Sequence, residues 1–215
     1  MDLSLIAQHL PTIAKNHQKL SVSERDEDRS RAVAQYCKRL ARTCPEGWFS
    51  AYTTDDCGWF IIGNRYTIRR VDSWSAEGHV LAALLNRIGA DPKAPCRIIP
   101  ARNGTYELDA TPNAAPSYQS LNRIMTDDAP RVEAADVSVL RFGNEVLIQR
   151  IVATTADGRR NSFTPAILAW AMQDAERLML GGRRPAQCIG ADGTITGVIM
   201  PTRDIPFDEW EHAAA

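Results

Sequence analysis

The chain has 215 residues, of which 44% are hydrophobic, and its 25 Lys and Arg nearly balance its 26 Asp and Glu, for a net charge of −1. Such a chain can bury a core as one large domain or two small ones. Its charge balance does not favour nucleic acid as the main partner, although it does not exclude a local basic patch. No apolar run approaches the about 20 residues that cross a bilayer, so we predict a cytoplasmic protein without a membrane partner.

The cysteines and histidines do not form a metal-binding or disulfide pattern. The four histidines are scattered, and the five cysteines are an odd number without a CxxC pair: Cys37, Cys44, Cys57, Cys96 and Cys188. This usage is typical of reduced thiols. We therefore predict no metal site and no cofactor, and the sequence makes no prediction of oligomeric state.

The first predicted elements are helical. Residues 2–20 have apolar positions at helical spacing, and Ser23 can cap a helix from Glu24 to Thr43. An acidic first turn and a basic last turn complement the dipole of that helix. After a break, the β-forming residues 48–53 predict a strand.

A β-hairpin is predicted next. Gly63-Asn64 lies between two runs of β-forming residues and is typical of a two-residue turn, which would place Ile62 opposite Arg65. Four side chains then share one face of the hairpin, which we predict to be core: Trp59, Ile61, Tyr66 and Ile68.

A helix and a second hairpin complete the first half. Ser75 is a suitable N-cap for a helix with a buried apolar stripe and a stop at Gly89. The Asn-Gly pair at residues 103–104 favours a tight turn between two strands. Residues 110–118 contain two prolines and no periodicity, so we interpret them as a connection, followed by a short helix at 118–125.

The second half repeats this layout more weakly. Residues 139–151 resemble the first hairpin, with a Gly-Asn turn at 143–144 and Val137 opposite Arg150. Residues 154–162 are polar and predict a loop.

A second helix and turn extend the parallel between the halves. Thr164-Pro165 is a typical helix start, and apolar positions at helical spacing continue to Met179 before a stop at Gly181. The Asp-Gly pair at 192–193 predicts another tight hairpin turn.

These elements predict an α+β fold with two similar halves, each an antiparallel sheet packed on a helix. We assign the first half and the N-terminal helical segment to residues 1–110 and the second half to residues 111–215. The shared order of elements favours an internal duplication. The alternative is one continuous mixed domain without internal symmetry.

The order of helix, three strands, helix and two strands over residues 23–110, and less closely over 118–212, resembles a known family. It is similar to the class I type III secretion chaperones, which are small bacterial proteins, and to the related YbjN-like domains. The resemblance implies a non-enzymatic protein that holds an extended partner segment on its sheet and helix surfaces. The two halves would stand in for the usual two subunits.

The sequence contains none of the GxGxxG, P-loop, HExxH or GxSxG motifs. The best candidate nucleophile is Cys57, which the predicted register places opposite the cationic Arg70, with His79 as a base and Asp55 nearby. A thiol-dependent hydrolase or transferase is therefore the alternative function, against the simpler interpretation of a small strand residue and a surface histidine. The Glu-X-Glu at 209–211 lacks the companion motifs of ADP-ribosyltransferases and indicates exposed terminal acids.

Arginine pairs at 69–70, 159–160 and 183–184 flank the predicted hairpins and helices. Arginine beside exposed aromatic residues is typical of protein interfaces, whereas the simpler interpretation is solubilising charge at strand ends. We favour a binding surface for a protein segment, formed by four residues at matched positions in the halves: Arg70, Arg150, Trp74 and Trp170. The preferred function is a non-catalytic protein-binding module, such as a chaperone-like protein, an adaptor or an inhibitor, of bacterial or phage origin.

Overall fold

A computed structural model describes residues 26–44, 46–88, 96–109, 111, 115–142 and 148–202. The chain divides into two compact units, and the described residues pass from the first to the second between Thr126 and Asp127. Helices and antiparallel strand pairs are present in both units, which confirms the predicted α+β class. The predicted helix in residues 2–20, the cap at Ser23 and the acids at 209–211 lie outside the described residues.

The first unit has the predicted order of helix, three strands, helix and two strands, followed by a short helix. Its elements are α1 (Asp26–Thr43), β1 (Ser50–Thr53), β2 (Trp59–Gly63), β3 (Thr67–Asp72), α2 (Ala76–Ile88), β4 (Arg97–Pro100), β5 (Tyr106–Asp109) and α3 (Tyr118–Met125). The first three strands pair in the order β1-β2-β3, and β4 and β5 form a separate hairpin. A backbone bridge between Phe49 and Ile98 joins that hairpin to the start of β1.

The turn between β2 and β3 lies two residues further along the chain than predicted. The side-chain Oδ1 of Asn64 accepts hydrogen bonds from the backbone N–H groups of Tyr66 (2.9 Å) and Thr67 (3.1 Å). The N–H of Asn64 donates to the carbonyl of Thr67, so the chain reverses at Arg65 and Tyr66. The predicted turn at Gly63-Asn64 is therefore wrong in position, because the asparagine side chain organises a turn that begins after it.

The displaced turn shifts the pairing of the two strands. Ile62 lies opposite Arg69 instead of Arg65. Because the shift is an even number of residues, Ile61 and Ile68 stay on their predicted face, and both are buried as predicted. Tyr66 lies in the turn with 46% of its surface exposed, so its predicted place in the core is wrong.

Helices α2 and α3 pack against opposite faces of this sheet. Tyr52 pairs with Ile61, whereas Arg69 pairs with the next residue of β2, so their side chains point to opposite sides. Arg69 binds Glu77 of α2. On the other face, the rings of Tyr52 and Tyr118 of α3 have centroids 6.0 Å apart.

The short helix α3 has the predicted bounds. The Ser117 side chain accepts a hydrogen bond from the N–H of Ser120, and this caps the first turn. Immediately before the cap, the carbonyl of Pro116 accepts a 2.5 Å hydrogen bond from the hydroxyl of Tyr52, which lies 64 residues earlier. Segments distant in the sequence therefore meet on this face of the sheet.

Helix α2 begins as the sequence predicts. The Ser75 hydroxyl accepts a hydrogen bond from the N–H of Gly78 at 3.0 Å and acts as the N-cap. A Cβ atom on Gly78 would lie 2.1 Å from the carbonyl oxygen of Asp72. Only glycine therefore allows this close approach of helix and preceding strand. The predicted stop at Gly89 lies outside the described residues.

The second unit is a six-stranded antiparallel sheet with one short helix. Its elements are β6 (Val132–Phe142), β7 (Ile148–Thr155), β8 (Arg160–Phe163), α4 (Pro165–Ala171), β9 (Arg177–Gly181), β10 (Arg184–Ile189) and β11 (Ile195–Ile199). Within this unit the strands follow the order β11-β10-β9-β6-β7-β8. Apolar side chains of the strands and of α4 form its core, including Val137, Ile151, Phe163, Leu168, Leu178 and Ile199.

The second predicted helix is much shorter than expected. It starts after Thr164, but Met172 is already its C-cap, and Met179 lies in β9. The prediction as far as Met179 is wrong because these residues pair with β10, with Met179 opposite Gln187. Their apolar positions fit either a helix or a buried strand, and long-range pairing decides between the two.

Two further predictions for the second unit are wrong. Part of the predicted polar loop is the strand β8, which pairs with β7. Arg150 lies opposite Leu140, and Val137 lies opposite Ala153. The predicted turn at residues 143–144 lies outside the described residues.

The two units share an order of elements but not the predicted residue matches. In both units, three strands precede a helix, and the first strand after the helix pairs with the beginning of the first of those three strands. In the first unit this pair is Ile98 with Phe49, just before β1, and in the second it is Leu180 with Val132 of β6. By this order β2–β3 corresponds to β7–β8, whereas the sequence comparison matches it to β6–β7. The duplication is therefore not confirmed.

Of the helices that the described ranges contain, none is long and apolar enough to cross a membrane.

Candidate functional site

The connection between β3 and α2 presents an unusually exposed tryptophan. Trp74 has 81% of its surface exposed, and among the described residues the next most exposed large apolar side chain, Tyr66, reaches 46%. The N–H of Trp74 donates to Oδ1 of Asp72 at 2.9 Å, and the N–H of Ser75 donates to the Asp72 carbonyl at 3.1 Å. The indole is therefore presented by a backbone that hydrogen bonds hold in place.

The turn between β1 and β2 is bound to this connection. The N–H and hydroxyl of Ser73 donate to the carbonyl of Gly58 at 3.1 and 2.9 Å. Within the turn, Oδ1 of Asp56 accepts hydrogen bonds from the Thr54 hydroxyl (2.5 Å) and the Gly58 N–H (3.1 Å). These two bonds, with a smaller contribution from the charge of Arg70, lower the pKa of Asp56.

An arginine stacks on a second tryptophan beside this turn. The guanidinium carbon of Arg70 lies 4.7 Å from the ring centroid of Trp59, within the range of a cation–π contact. Trp59 pairs across the strands with Asp72, two residues before Trp74. We call these four residues and Asp56 the Trp74 surface.

A buried charge cluster lies on the other side of the same connection. The Glu77 carboxylate accepts hydrogen bonds from Arg69 (3.1 Å), the Tyr36 hydroxyl (2.9 Å) and Arg39 (3.2 Å). Burial disfavours the charged carboxylate, but the two guanidiniums and the hydroxyl outweigh it and lower the pKa of Glu77. Burial and the charge of Glu77 raise the pKa of Tyr36.

This cluster ties three elements together at the start of α2. Arg69 comes from β3, Tyr36 and Arg39 come from α1, and Glu77 is in the first turn of α2. This cluster was not predicted from the sequence. One available signal was the alternation in β3, which places Arg69 on the same face as the buried Val71.

The candidate thiol site is not assembled in the described residues. Cys57 is exposed in the β1–β2 turn, and Ile61, not Cys57, lies opposite Arg70. Among the described residues, no hydrogen bond joins Cys57 to His79, which is exposed on α2. Asp55 accepts a long hydrogen bond, 3.4 Å, from Tyr118. The predicted opposition of Cys57 and Arg70 is wrong because the β2–β3 turn lies further along the chain.

The other cysteines are covered to different degrees and are free of disulfides. Burial raises the pKa of Cys37 to about 11 and that of Cys44 to about 12, and it also raises the pKa of Cys96 and Cys188. Such thiols are poor nucleophiles near neutral pH. Within the described ranges, no group of three His, Cys, Asp or Glu side chains has the arrangement of a metal site.

The remaining predicted binding residues lie in the second unit. Trp170 is only 4% exposed, so its expected exposure is wrong. It lies in the short helix α4, whose positions 168–171 are all buried. Arg150 is half-buried in β7 and donates a hydrogen bond to the carbonyl of Gln149 at 3.3 Å. Of the four predicted residues, Arg70 and Trp74 belong to the first unit, on β3 and on the connection that follows it.

Comparisons of the chain with protein-family models, with curated proteins and with solved structures find no match.

Proposed function

We propose that this protein is a non-catalytic binding module that holds a segment of a partner protein at the Trp74 surface. The observation that carries the proposal is the 81% exposure of Trp74 on a hydrogen-bonded connection. Exposing a large aromatic side chain forfeits the stabilisation that its burial would give. A partner that covers the ring would recover this free energy on binding.

The neighbouring stack supplies a second contact of the same kind. Arg70 and Trp59 are both half-buried, and Trp59 pairs with Asp72, two residues before Trp74. Tryptophan and arginine are the side chains most often found at energetic hot spots of interfaces. This composition favours protein recognition over ordinary solubilising charge.

The buried cluster supports the proposal by fixing the connection. Three hydrogen bonds to Glu77 hold the first turn of α2 against α1 and β3. A surface that is rigid before binding loses less conformational entropy when its partner arrives. The Trp74 surface is thus suited to capture a flexible segment.

The order of elements in the first unit also supports this function. It follows the helix, three-strand, helix and hairpin order of the class I type III secretion chaperones, whose resemblance implies capture of an extended partner segment. We propose the same type of binding for this chain, as an adaptor, inhibitor or chaperone-like protein. The thiol-dependent alternative gains no support, because Cys57 and His79 share no hydrogen bond in the described chain.

The test uses a library of random peptides displayed on phage, selected against the full-length protein. Selected peptides should bind wild-type protein and lose about 30-fold or more in affinity for Trp74→Ala, because a hot-spot tryptophan contributes about 2 kcal/mol or more. Arg70→Ala should weaken the same peptides by roughly 1–3 kcal/mol. Affinity is measured by fluorescence anisotropy with synthetic peptides.

The matched control is Tyr66→Ala, which removes another exposed aromatic side chain at the opposite end of the β2–β3 hairpin. Its peptide affinity should equal that of wild type. Arg150→Ala tests whether the second unit takes part. Peptides that bind Trp74→Ala and wild type equally would overturn the proposed site.

A further inference from the structure

The two loops of the Trp74 surface carry an excess of negative charge. Residues 54–59 and 72–75 contain three aspartates and no lysine or arginine: Asp55, Asp56 and Asp72. All three are exposed. The cation that borders them, Arg70, already stacks on Trp59 and contributes to the lowered pKa of Asp56.

Two of these carboxylates use only one oxygen inside the protein. Oδ1 of Asp56 accepts from Thr54 and Gly58, and Oδ1 of Asp72 accepts from the N–H of Trp74. Among the described residues, the Oδ2 atoms of both aspartates accept no hydrogen bond. A partner that covered these oxygens without donating to them would remove their water and leave them unsatisfied.

The chemistry next to the indole therefore favours a cation. An ammonium or guanidinium can lie against the negative face of a tryptophan ring and donate to carboxylate oxygens at the same time. An acidic partner would be repelled by the three aspartates, and an apolar one would desolvate them without compensation. A basic side chain can make a cation–π contact with the ring and donate hydrogen bonds to the carboxylates.

Building on the proposed function, we infer that the bound segment is basic, with a lysine or arginine held between the Trp74 ring and the carboxylates of Asp56 and Asp72. The apolar neighbours of that residue cover the rest of the indole. Trp74 supplies contact area, and the aspartates select the charge of the partner. The same division of roles predicts binding that weakens as ionic strength rises.

The experiment starts from the peptides that depend on Trp74. They should be enriched in lysine or arginine relative to the unselected library. Replacing that residue by norleucine, which keeps the aliphatic chain and removes the charge, should weaken binding to wild-type protein about 3- to 10-fold, as expected for an exposed ion pair with a cation–π contact. Replacement by glutamate should weaken it further.

The protein variant is the double substitution Asp56→Asn and Asp72→Asn. Asparagine keeps the Oδ1 acceptor that each turn needs and removes the charge. The affinity of the double variant for the basic peptides should be about 3- to 10-fold lower than that of wild type. Its affinity for the norleucine peptide should equal that of wild type, because that peptide carries no charge at this position. The charge-matched control is Glu107→Gln with Asp109→Asn, two acids of β5 in the same unit, which should leave affinity unchanged.

The outcomes separate this inference from the proposed function. If peptides bind through Trp74 but show no enrichment in basic residues, and norleucine does not weaken them, the basic partner is overturned and the binding surface stands. If no selected peptide depends on Trp74, the proposed function itself fails. Because the norleucine comparison uses wild-type protein, it decides the question even if the double variant does not fold.

Discussion

Two ends of one short connection differ sharply in their surroundings. Trp74 is almost fully exposed, whereas Glu77, three residues later, is buried and bound to two arginines and a tyrosine. The apolar residue is thus outside and the charged one inside, opposite to the usual distribution. The buried end therefore maintains the structure, and the exposed end is the one that we propose contacts a partner.

Removing the buried carboxylate should have the largest effect. Glu77→Ala leaves Arg69, whose side chain is 1% exposed, without its carboxylate, so we expect a loss of about 3–5 kcal/mol in the free energy of unfolding. Glu77→Gln should cost less, because an amide still accepts from the guanidinium. Urea denaturation followed by circular dichroism measures both variants.

The exposed glutamate of β5 provides the control for this pair. Glu107→Ala should change the free energy of unfolding by less than about 0.5 kcal/mol, as is usual on a surface. If Glu77→Ala and Glu107→Ala had equal free energies of unfolding, Glu77 would not be the residue that maintains the structure at the buried end of the connection.

Low pH should destabilise the folded protein by protonating the same carboxylate, Glu77. The folded-state pKa of Glu77 is lowered by Arg69, Arg39 and Tyr36 despite burial, so its contribution is complete above the unfolded pKa of about 4.3 and is lost as pH falls through the lower folded value. We expect a smaller acid-induced loss of stability in Glu77→Gln than in wild type. Thermal melts between neutral pH and pH 3 make the comparison, and parallel profiles would contradict it.

Gly78→Ala should destabilise the helix start by about 1–3 kcal/mol, although alanine is normally the better helix former. The reason is that the new Cβ would lie 2.1 Å from the carbonyl oxygen of Asp72. Gly58→Ala is the control, since the nearest atoms to its Cβ would be those of the Asp56 side chain, at an ordinary contact distance of 3.6 Å. Chemical denaturation reports both, and a more stable Gly78→Ala would mean that the strand and helix can separate there without loss.

The two helix caps provide a finer comparison. Ser75 accepts a hydrogen bond at the start of α2, whereas the Thr164 side chain makes no capping bond at the start of α4. We expect Ser75→Ala to cost about 1 kcal/mol and Thr164→Ala distinctly less. Equal losses of stability in the two variants would show that the capping bond at Ser75 contributes little.

The exposed end should have the smallest effect on stability. Trp74→Ala should change the free energy of unfolding by less than about 0.5 kcal/mol, because a largely exposed side chain loses little packing. The same variant should show the largest loss of peptide affinity. A marked drop in its melting temperature would instead identify Trp74 as a structural residue.

Elements with strong local signals were predictable from the sequence. The cap at Ser75, the Asn-Gly turn at 103–104 and the short helix α3 depend on nearby residues, and the structure has all three. The exposure of Trp74 was also anticipated, because it lies at the edge of a predicted helix. Asp56 and Asp72 were not assigned to the site, although aspartate two residues before a turn amide is a recognisable turn signal.

Features that depend on distant partners were not predictable. Residues 177–181 have apolar positions that fit a helix, and only pairing with β10 makes them a strand. The predicted exposure of Trp170 was wrong together with the length of its helix, because the apolar face was defined for a helix that continues to Met179. The buried cluster joins Tyr36 to Glu77 across 41 residues, a separation at which sequence patterns carry no pairing information.

The bond between Tyr52 and Pro116 has a consequence for protein synthesis. At about 5–20 residues per second, a ribosome needs roughly 3 to 13 seconds to make the 64 residues that separate them. During that interval the side of the sheet that carries Tyr52 has no α3 to cover it. We expect this side of the sheet to remain accessible to chaperones and proteases in the nascent chain until residue 126 has left the exit tunnel. The second unit begins at the next residue.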